Sequence, residues 1–496
     1  MTREYGKTKN EMINWIKKNK VELLVVSLIL IVGVFCRLYK IDEYMMFLGD
    51  EGRDVTVVRR FLKEGDLMFV GPGTSVGNMY LGPIYYYYMA PWLWLWNYSP
   101  VGPAVGVALL GVATIWFLWY ITRLWTKSSF VAGTVAALYA VSPVVIYYSR
   151  SSWNPNIMPF FALLLIFSLW KVWEEKKWGW LLVGSIAFSV TLQSHYLALL
   201  LLPVIVAVVF VSRPPTRYML YAICCLLVLM SPLFLFDYKH DWRNTLAIWD
   251  YFTRSDSDIK FRIGIFISHL WLVWEKLNIR LLASTSIFWG KLLAVLLPFG
   301  FVFMWFKKRY LLLPVSYMLF LLWLFFGLIG LALYKGEVYD HYLGFMFPLP
   351  FILLGVVLNN MKKVYIYVVC CLLFVFAIIN SPLRKYPNRL LERSMMVAQK
   401  IADETNGEPY NFALIGDKNY EPNYQYFLED TQVVEIDPQR YQETLANQLF
   451  VVCEYPKEQC QPASNPKAQV ANFGWSKIEA SWDVEGVTVY KLIHNK

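Results

Sequence analysis

Residues 21–54 read VELLVVSLILIVGVFCRLYKIDEYMMFLGDEGRD. The stretch begins as an apolar run of bilayer-spanning length, which takes roughly 17–25 residues, and ends in two adjacent carboxylates, Asp50 and Glu51. Lys17, Lys18 and Lys20 precede the run, but no small-residue cleavage site follows it, so it reads as a retained span and not a cleaved signal. Working outward, apolar runs recur at 101–123, 129–148, 156–173, 178–194, 197–212, 217–236, 284–306, 310–333, 341–359 and 364–381. With the first at 21–41, they predict a polytopic α-helical membrane protein of about 11 transmembrane helices.

Composition agrees. Of 496 residues, 57% are hydrophobic and only 17% charged, with a mean hydropathy of +0.42; a soluble domain carries about a quarter charged residues. The charge is unevenly divided. Residues 1–381 hold a net +14, residues 382–496 a net −4. The excess positive charge behind the pI near 9 therefore lies in the membrane part, which excludes nucleic acid as a partner. After Pro382 the pattern turns mixed α/β: a helix at 387–405, a strand at Asn411–Ile415, a short helix near Tyr424–Leu428, and strands near 449–453, 477–482 and 487–492.

Loop charges orient the spans. With the N-terminus inside, Arg123/Lys127, Lys171/Lys176/Lys177, Arg213/Arg217, Lys307/Lys308/Arg309 and Lys362/Lys363 all fall in inner loops, as the positive-inside rule requires. Fifteen of the twenty acidic residues before 382 then lie in outer loops, of which 42–100 and 237–283 are large. The inner loops are too short for a nucleotide-binding domain, so a site faces outward. Leu81–Trp96 (LGPIYYYYMAPWLWLW) does not fit as a span, since a crossing there would invert every later loop; its tyrosines and tryptophans suit a helix lying at the interface. The expected organisation is a cytoplasmic segment 1–20, a transmembrane domain 21–381 with the outer loop 42–100, and a soluble extracytoplasmic α/β domain 382–496.

No phosphate loop, HExxH or GxSxG elbow occurs. The stretch GPGTSVG, Gly71–Gly77, is a turn and not a dinucleotide fingerprint. Five of the seven cysteines lie in spans; the outer pair, Cys453 and Cys460, is placed where a disulfide is permitted. Two readings of Asp50 stay open. It is a general base, next to a like-charged neighbour that would raise a carboxylate's pKa. Or it caps a following amphipathic interfacial helix, with Val55, Val58, Phe61 and Leu62 spaced between Arg59, Arg60 and Lys63. Further polar clusters stand at outer span ends: Tyr147–Asn156 with Arg150, Trp153, Asn154 and Asn156; Gln193-Ser194-His195-Tyr196; and Tyr339-Asp340-His341-Tyr342. Single Arg or His residues there are commonly snorkelling anchors. Several together could bind a lipid phosphate. The aromatics Tyr80, Tyr85–Tyr88, Trp92, Trp94 and Trp96 have two readings, stacking on a sugar or, for most of them, an aromatic belt.

The Asp-Glu after the first span, the GPIYYYY segment, the Ser-Arg after the third span and the HYLGFMFPLP opening of a late span together resemble glycosyltransferase family 39. This group of GT-C transferases includes dolichyl-phosphate-mannose protein mannosyltransferases and lipid A aminoarabinose transferases. The resemblance covers residues 1–381. It implies a GT-C-like fold and an inverting transfer of a sugar from a polyprenyl-phosphate donor to a hydroxyl of a lipid, glycan or protein acceptor, outside the plasma membrane. Asp50 would take the acceptor proton with support from Glu51; Arg150, His195 and His341 would hold the donor phosphate; Arg53, Trp153, Asn154, Asn156, Gln193, Asp340 and Tyr342 would contact substrate. A divalent metal is the one cofactor to consider. The aspartate that often follows the loop arginine in the family is replaced here by the neighbourhood of Asn154 and Asn156, and a His-Pro-Pro before the tyrosines by Leu81-Gly82-Pro83. A lipid-linked donor also suits an outer site, because nucleotide sugars are cytosolic. Two other classes compete: a lipid-linked polysaccharide polymerase or ligase, and a transporter or flippase. The spans proper are nearly free of acids, unlike those of ion-coupled carriers, and the carboxylate pair after the first span favours the transferase.

Overall fold

A computed structural model describes residues 18–74, 78–253, 263–308, 314–334 and 336–495. Residues 1–17 of the expected inner segment, 75–77 of the Gly71–Gly77 stretch and 254–262 of the second outer loop lie outside the described residues. The longer helices are α1 (Lys20–Leu38), α2 (Gly49–Glu64), α3 (Ile84–Leu95), α4 (Val101–Thr126), α5 (Ser129–Val141), α6 (Met158–Trp173), α7 (Trp180–Ser194), α8 (Leu202–Ser212), α9 (Thr216–Lys239), α10 (Arg243–Thr253), α11 (Ile263–Leu277), α12 (Ile287–Lys308), α13 (Val315–Leu333), α14 (Pro348–Leu358) and α15 (Lys363–Ile379). A C-terminal part follows, with α16 (Leu390–Glu404), β1 (Asn411–Ile415), α17 (Pro422–Leu428), β2 (Gln448–Cys453), β3 (Ser476–Val484) and β4 (Val487–His494).

Ten of the eleven apolar runs fall on a helix or on two consecutive helices, and the run 310–333 falls on one over its described residues, 310–313 lying outside them. Among the described residues six helices are long and apolar enough to cross a membrane, and a seventh candidate is the pair Asp340–Met346 and Pro348–Leu358, bent by 53°. Shorter apolar helices occupy Ser129–Val141, Trp180–Ser194, Tyr196–Ser212 and Ile366–Ile379. Proline explains the divided runs. Pro143, Pro203 and Pro348 each stand in the first turn of the second piece, where a missing N–H costs nothing but the preceding turn cannot continue as α-helix. The chain is a multi-pass membrane protein. Leu81–Trp96 contains the 12-residue helix α3, about 18 Å long at 1.5 Å per residue and too short to cross. The second outer loop is largely helical: α11 buries Val273, Trp274 and Leu277, and the Trp274 indole donates to the Ala294 carbonyl at 2.8 Å. Its Gly264, Ser268 and His269 dilute the apolar signal that would have revealed it.

The chain forms two compact units. One comprises Met1–Tyr39, Met68–Tyr88 and Val105–Tyr386; the other comprises Lys40–Leu67, Met89–Ala104 and Pro387–Lys496. The second unit thus takes in parts of the loop 42–100 that a division at residue 381 leaves with the spans. Its sheet has the order β1-β2-β4-β3, with β1 parallel to β2 and the other neighbours antiparallel. Successive residues face opposite sides, so Phe412, Phe450 and Val452 pack with Val397 and Ile401 of α16, while Ala413, Leu449 and Val451 pack with Val470 and Phe473. Cys453 and Cys460 are bonded to each other, with Cα atoms 5.9 Å apart.

The physical reason for the regrouping is helix α2. Its apolar stripe, expected to lie on the membrane surface, is instead packed against α17: Val55 and Val58 are fully buried. Arg59 stacks 4.0 Å over the Tyr426 ring, donates to the Tyr426 carbonyl at 2.9 Å and pairs with Glu429. An amphipathic stripe records only that a face is covered, and both a lipid surface and a protein surface satisfy it.

Candidate active site

Helix α2 opens at Gly49, which leaves its first backbone N–H groups in need of acceptors. Glu51 reaches back to the Leu48 N–H at 3.0 Å, and Asn419 accepts the Gly49 N–H at 2.9 Å. The capping role considered for Asp50 therefore belongs to Glu51 and Asn419. Glu51 is buried, and burial, with Asp50 beside it, pushes its carboxyl up to about 7 against the bond from Leu48.

Released from capping, Asp50 keeps a side chain 39% exposed. Its Oδ1 accepts from Arg53 Nη1 at 3.0 Å and from the Tyr420 hydroxyl, while Arg53 Nη1 also donates to Tyr420 at 3.1 Å. Arg53 Nε and Nη2 grip Oδ1 of the buried Asp54 at 2.9 and 2.7 Å. One guanidinium thus bridges two carboxylates, the geometry to which its planar fork is suited. Asp50 Oδ2 accepts no hydrogen bond from any described residue. A carboxylate anchored through one oxygen and open at the other can take a proton from an incoming hydroxyl.

The other unit gathers a second polar cluster. The His341 ring lies 4.6 Å from Trp153, 4.5 Å from Tyr342 and 6.2 Å from His195, centroid to centroid, and stacks with Tyr339. His195 sits in the turn between two spans. Burial, then the neighbouring His341, brings it down to about 3, so it is a neutral imidazole and not one of the cations that the sequence suggests. Its Nδ1 accepts the Leu197 N–H at 3.2 Å, which leaves the proton on Nε2 as a neutral donor. Positive charge comes from residues that sequence reading missed. Arg280, on the turn Asn278–Leu282, forks onto Asp340 at 2.5–3.1 Å, and Lys276 donates to the Val338 carbonyl. Their signal was faint: two cations just before an apolar run, in a loop whose helices were not foreseen.

The remaining residues hold backbone. Arg150 is buried and donates to the Cys36 and Tyr39 carbonyls at 3.2 and 2.6 Å, where α1 ends; a helix C-terminus favours such a cation. Asn154 donates to the Ser194 carbonyl at 2.6 Å beside His195, and Asn156 to Ser151 at 2.8 Å. Gln193 donates to Leu229 at 3.0 Å and accepts from Ile84 at 3.3 Å. Among the described residues no three His, Cys, Asp or Glu side chains converge as metal ligands.

Comparison with known proteins bears on what this architecture is. Residues 82–236 match the family model described as dolichyl-phosphate-mannose-protein mannosyltransferase. The whole structure is similar to crystal structures of ArnT from Cupriavidus metallidurans, one bound to undecaprenyl phosphate and one in the apo state. Both give a TM-score of 0.61 at 13% identity, over 95% and 97% of this chain and 98% of the other. The fold is that of these ArnT structures. The structure is also similar to the archaeal oligosaccharyltransferase AglB from Archaeoglobus fulgidus, in complex with an inhibitory peptide and a dolichol-phosphate. It gives a TM-score of 0.55 at 12% identity, over 90% of this chain and 71% of AglB. No curated protein sequence gives a significant match.

Proposed function

We propose that this protein is an integral-membrane glycosyltransferase that moves a sugar from a polyprenyl-phosphate donor to an acceptor hydroxyl, with inversion, on the outer face of the plasma membrane. The observation that carries the reading is Asp50, anchored through Oδ1 and open at Oδ2. The Oδ2 atom takes the acceptor proton as the acceptor oxygen bonds to the anomeric carbon. The carbon–oxygen bond to phosphate breaks on the opposite side, and polyprenyl phosphate leaves with the electron pair. The lipid-phosphate donor is carried over from ArnT and AglB, whose structures hold undecaprenyl phosphate and a dolichol-phosphate.

His195 and His341, with Lys276 and Arg280, are the groups of their own unit suited to hydrogen-bonding a phosphate. Arg150, held on the backbone carbonyls of Cys36 and Tyr39, contributes by fixing the end of α1. The Lys and Arg clusters of the inner loops support a cytoplasmic N-terminus, and the outer side is where a flipped lipid donor would present its sugar.

The test uses purified protein, a panel of radiolabelled polyprenyl-phosphate sugars and membrane extract as acceptor source. Release of free polyprenyl phosphate is followed for the wild type and Asp50→Asn. The expected outcome is release from one donor by the wild type alone, with the variant slowed at least about 100-fold, the scale of general acid–base catalysis. Full activity in Asp50→Asn would remove Asp50 as base. Folded wild type releasing nothing from any donor would turn the assignment toward a polymerase, ligase or transporter.

A further inference from the structure

The segment Asn419–Asn423 of the C-terminal fold meets the Gly49–Asp54 turn at several points. Asn419 takes the Gly49 N–H. The Tyr420 ring lies directly on Gly49, where an added Cβ would come within 2.5 Å of ring carbons. The backbone of Pro422 and Asn423 lies on Gly52, where a Cβ would fall 2.4–2.5 Å away. Glycine makes room for the Tyr420 ring at position 49 and for the Pro422–Asn423 backbone at position 52. The segment is itself braced: Asn419 and Tyr424 both donate to Glu454 Oε1 at 2.8 Å, and Asn423 donates to Ser394 at 2.9 Å. A rigid piece of the sheet domain is thus pressed against the turn that carries Asp50.

We infer that Tyr420 is a positioning residue for the transfer: its hydroxyl, donated to Asp50 Oδ1 and braced by Arg53, fixes the carboxylate so that Oδ2 receives the acceptor proton. The inference rests on the reading of Asp50 as the base, and deepens it by giving the C-terminal domain a part in the chemistry. Burial keeps the phenol protonated well beyond neutral pH, against the pull of Arg53, so it remains a donor while the enzyme works. An Asp side chain otherwise rotates broadly about its terminal torsion. Two donors converging on the same oxygen restrict that rotation, and supported catalytic groups of this kind define a productive geometry.

The experiment uses the full chain with the donor identified above, comparing wild type, Asp50→Asn, Tyr420→Phe and Tyr426→Phe. Tyr420→Phe keeps the ring on Gly49 and removes only the hydroxyl. Tyr426→Phe removes a hydroxyl of the same unit that donates to the Tyr98 carbonyl at 2.5 Å and does not touch Asp50. Rates are counted per monodisperse folded molecule, so lost stability does not pass for lost rate. Tyr420→Phe is expected to lower kcat at least about ten-fold with KM nearly unchanged, as misplacement of a reacting group does, while Tyr426→Phe retains wild-type kcat. A Tyr420→Phe enzyme with wild-type kcat, or one altered only in KM, overturns the inference while Asp50→Asn remains dead. An Asp50→Asn enzyme at full speed, or an inactive wild type, overturns the base reading itself.

Discussion

Glu51 offers a pH-dependent test of how the Asp50 turn is built. Its carboxyl is buried, and its pKa rises from 4.5 to about 7 chiefly because burial penalises the charged form. A rise of that size is worth about 3 kcal/mol. Because the folded pKa is the higher one, the folded state binds more protons than the unfolded chain between the two values. The associated stability is fully present below about pH 4.5 and is lost as pH climbs through about 7. Glu51→Gln keeps an acceptor for the Leu48 N–H, as a capping-box glutamine does, but cannot ionise. Between about pH 5 and pH 8.5 the variant should therefore gain on the wild type by about 2.5 kcal/mol. At about 2–4 °C per kcal/mol for a unit of this size, that is about 5–10 °C in melting temperature. The assay is thermal unfolding of both proteins in the same detergent across that range, at a fixed scan rate. Parallel curves, with a constant offset between the two, would refute the buried, partly protonated Glu51.

Two further expectations concern the same unit. Gly52→Ala would drive a Cβ to 2.4 Å from the Asn423 backbone, so it should destabilise by about 1–3 kcal/mol or more and speed proteolytic clipping of the C-terminal part; Gly179→Ala, with open space around it, should change neither. Replacing Cys453 and Cys460 by serine opens a loop with a sequence separation of 7, a loss of about 2 kcal/mol on the chain-entropy account; in the wild type, thiol alkylation of these two residues should require prior reduction.

Hydropathy made the spans legible, and for a clear reason. A lipid-facing or bundle-buried helix must be apolar all round, so the eleven runs could be marked from hydropathy alone. The strands of the C-terminal sheet were equally plain, because Asn411–Ile415 and Gln448–Cys453 are short, largely apolar and fully buried runs. Asp50 and Glu51 stood out for the same kind of reason, since two carboxylates beside a span are costly unless used. Their division of labour was not legible. Which of two adjacent acids caps a helix depends on where the helix starts, and Gly49 takes that position only because Asn419 and Tyr420 are there to meet it.

Sequence by itself therefore determined the class of molecule: a multi-pass helical membrane protein, an acidic turn after its first span and a mixed α/β C-terminal part. Those are local properties, written in the hydropathy and spacing of neighbouring residues. Tertiary structure decided what each polar side chain does. It placed Tyr420 on Asp50, some 370 positions away in the chain, and turned the amphipathic face of α2 onto α17. It set Arg150 on the end of α1, made His195 neutral by burying it, and brought Arg280 onto Asp340. The physical reason is that burial, charge and hydrogen-bond partnership are properties of the assembled environment, and residues far apart in sequence supply that environment.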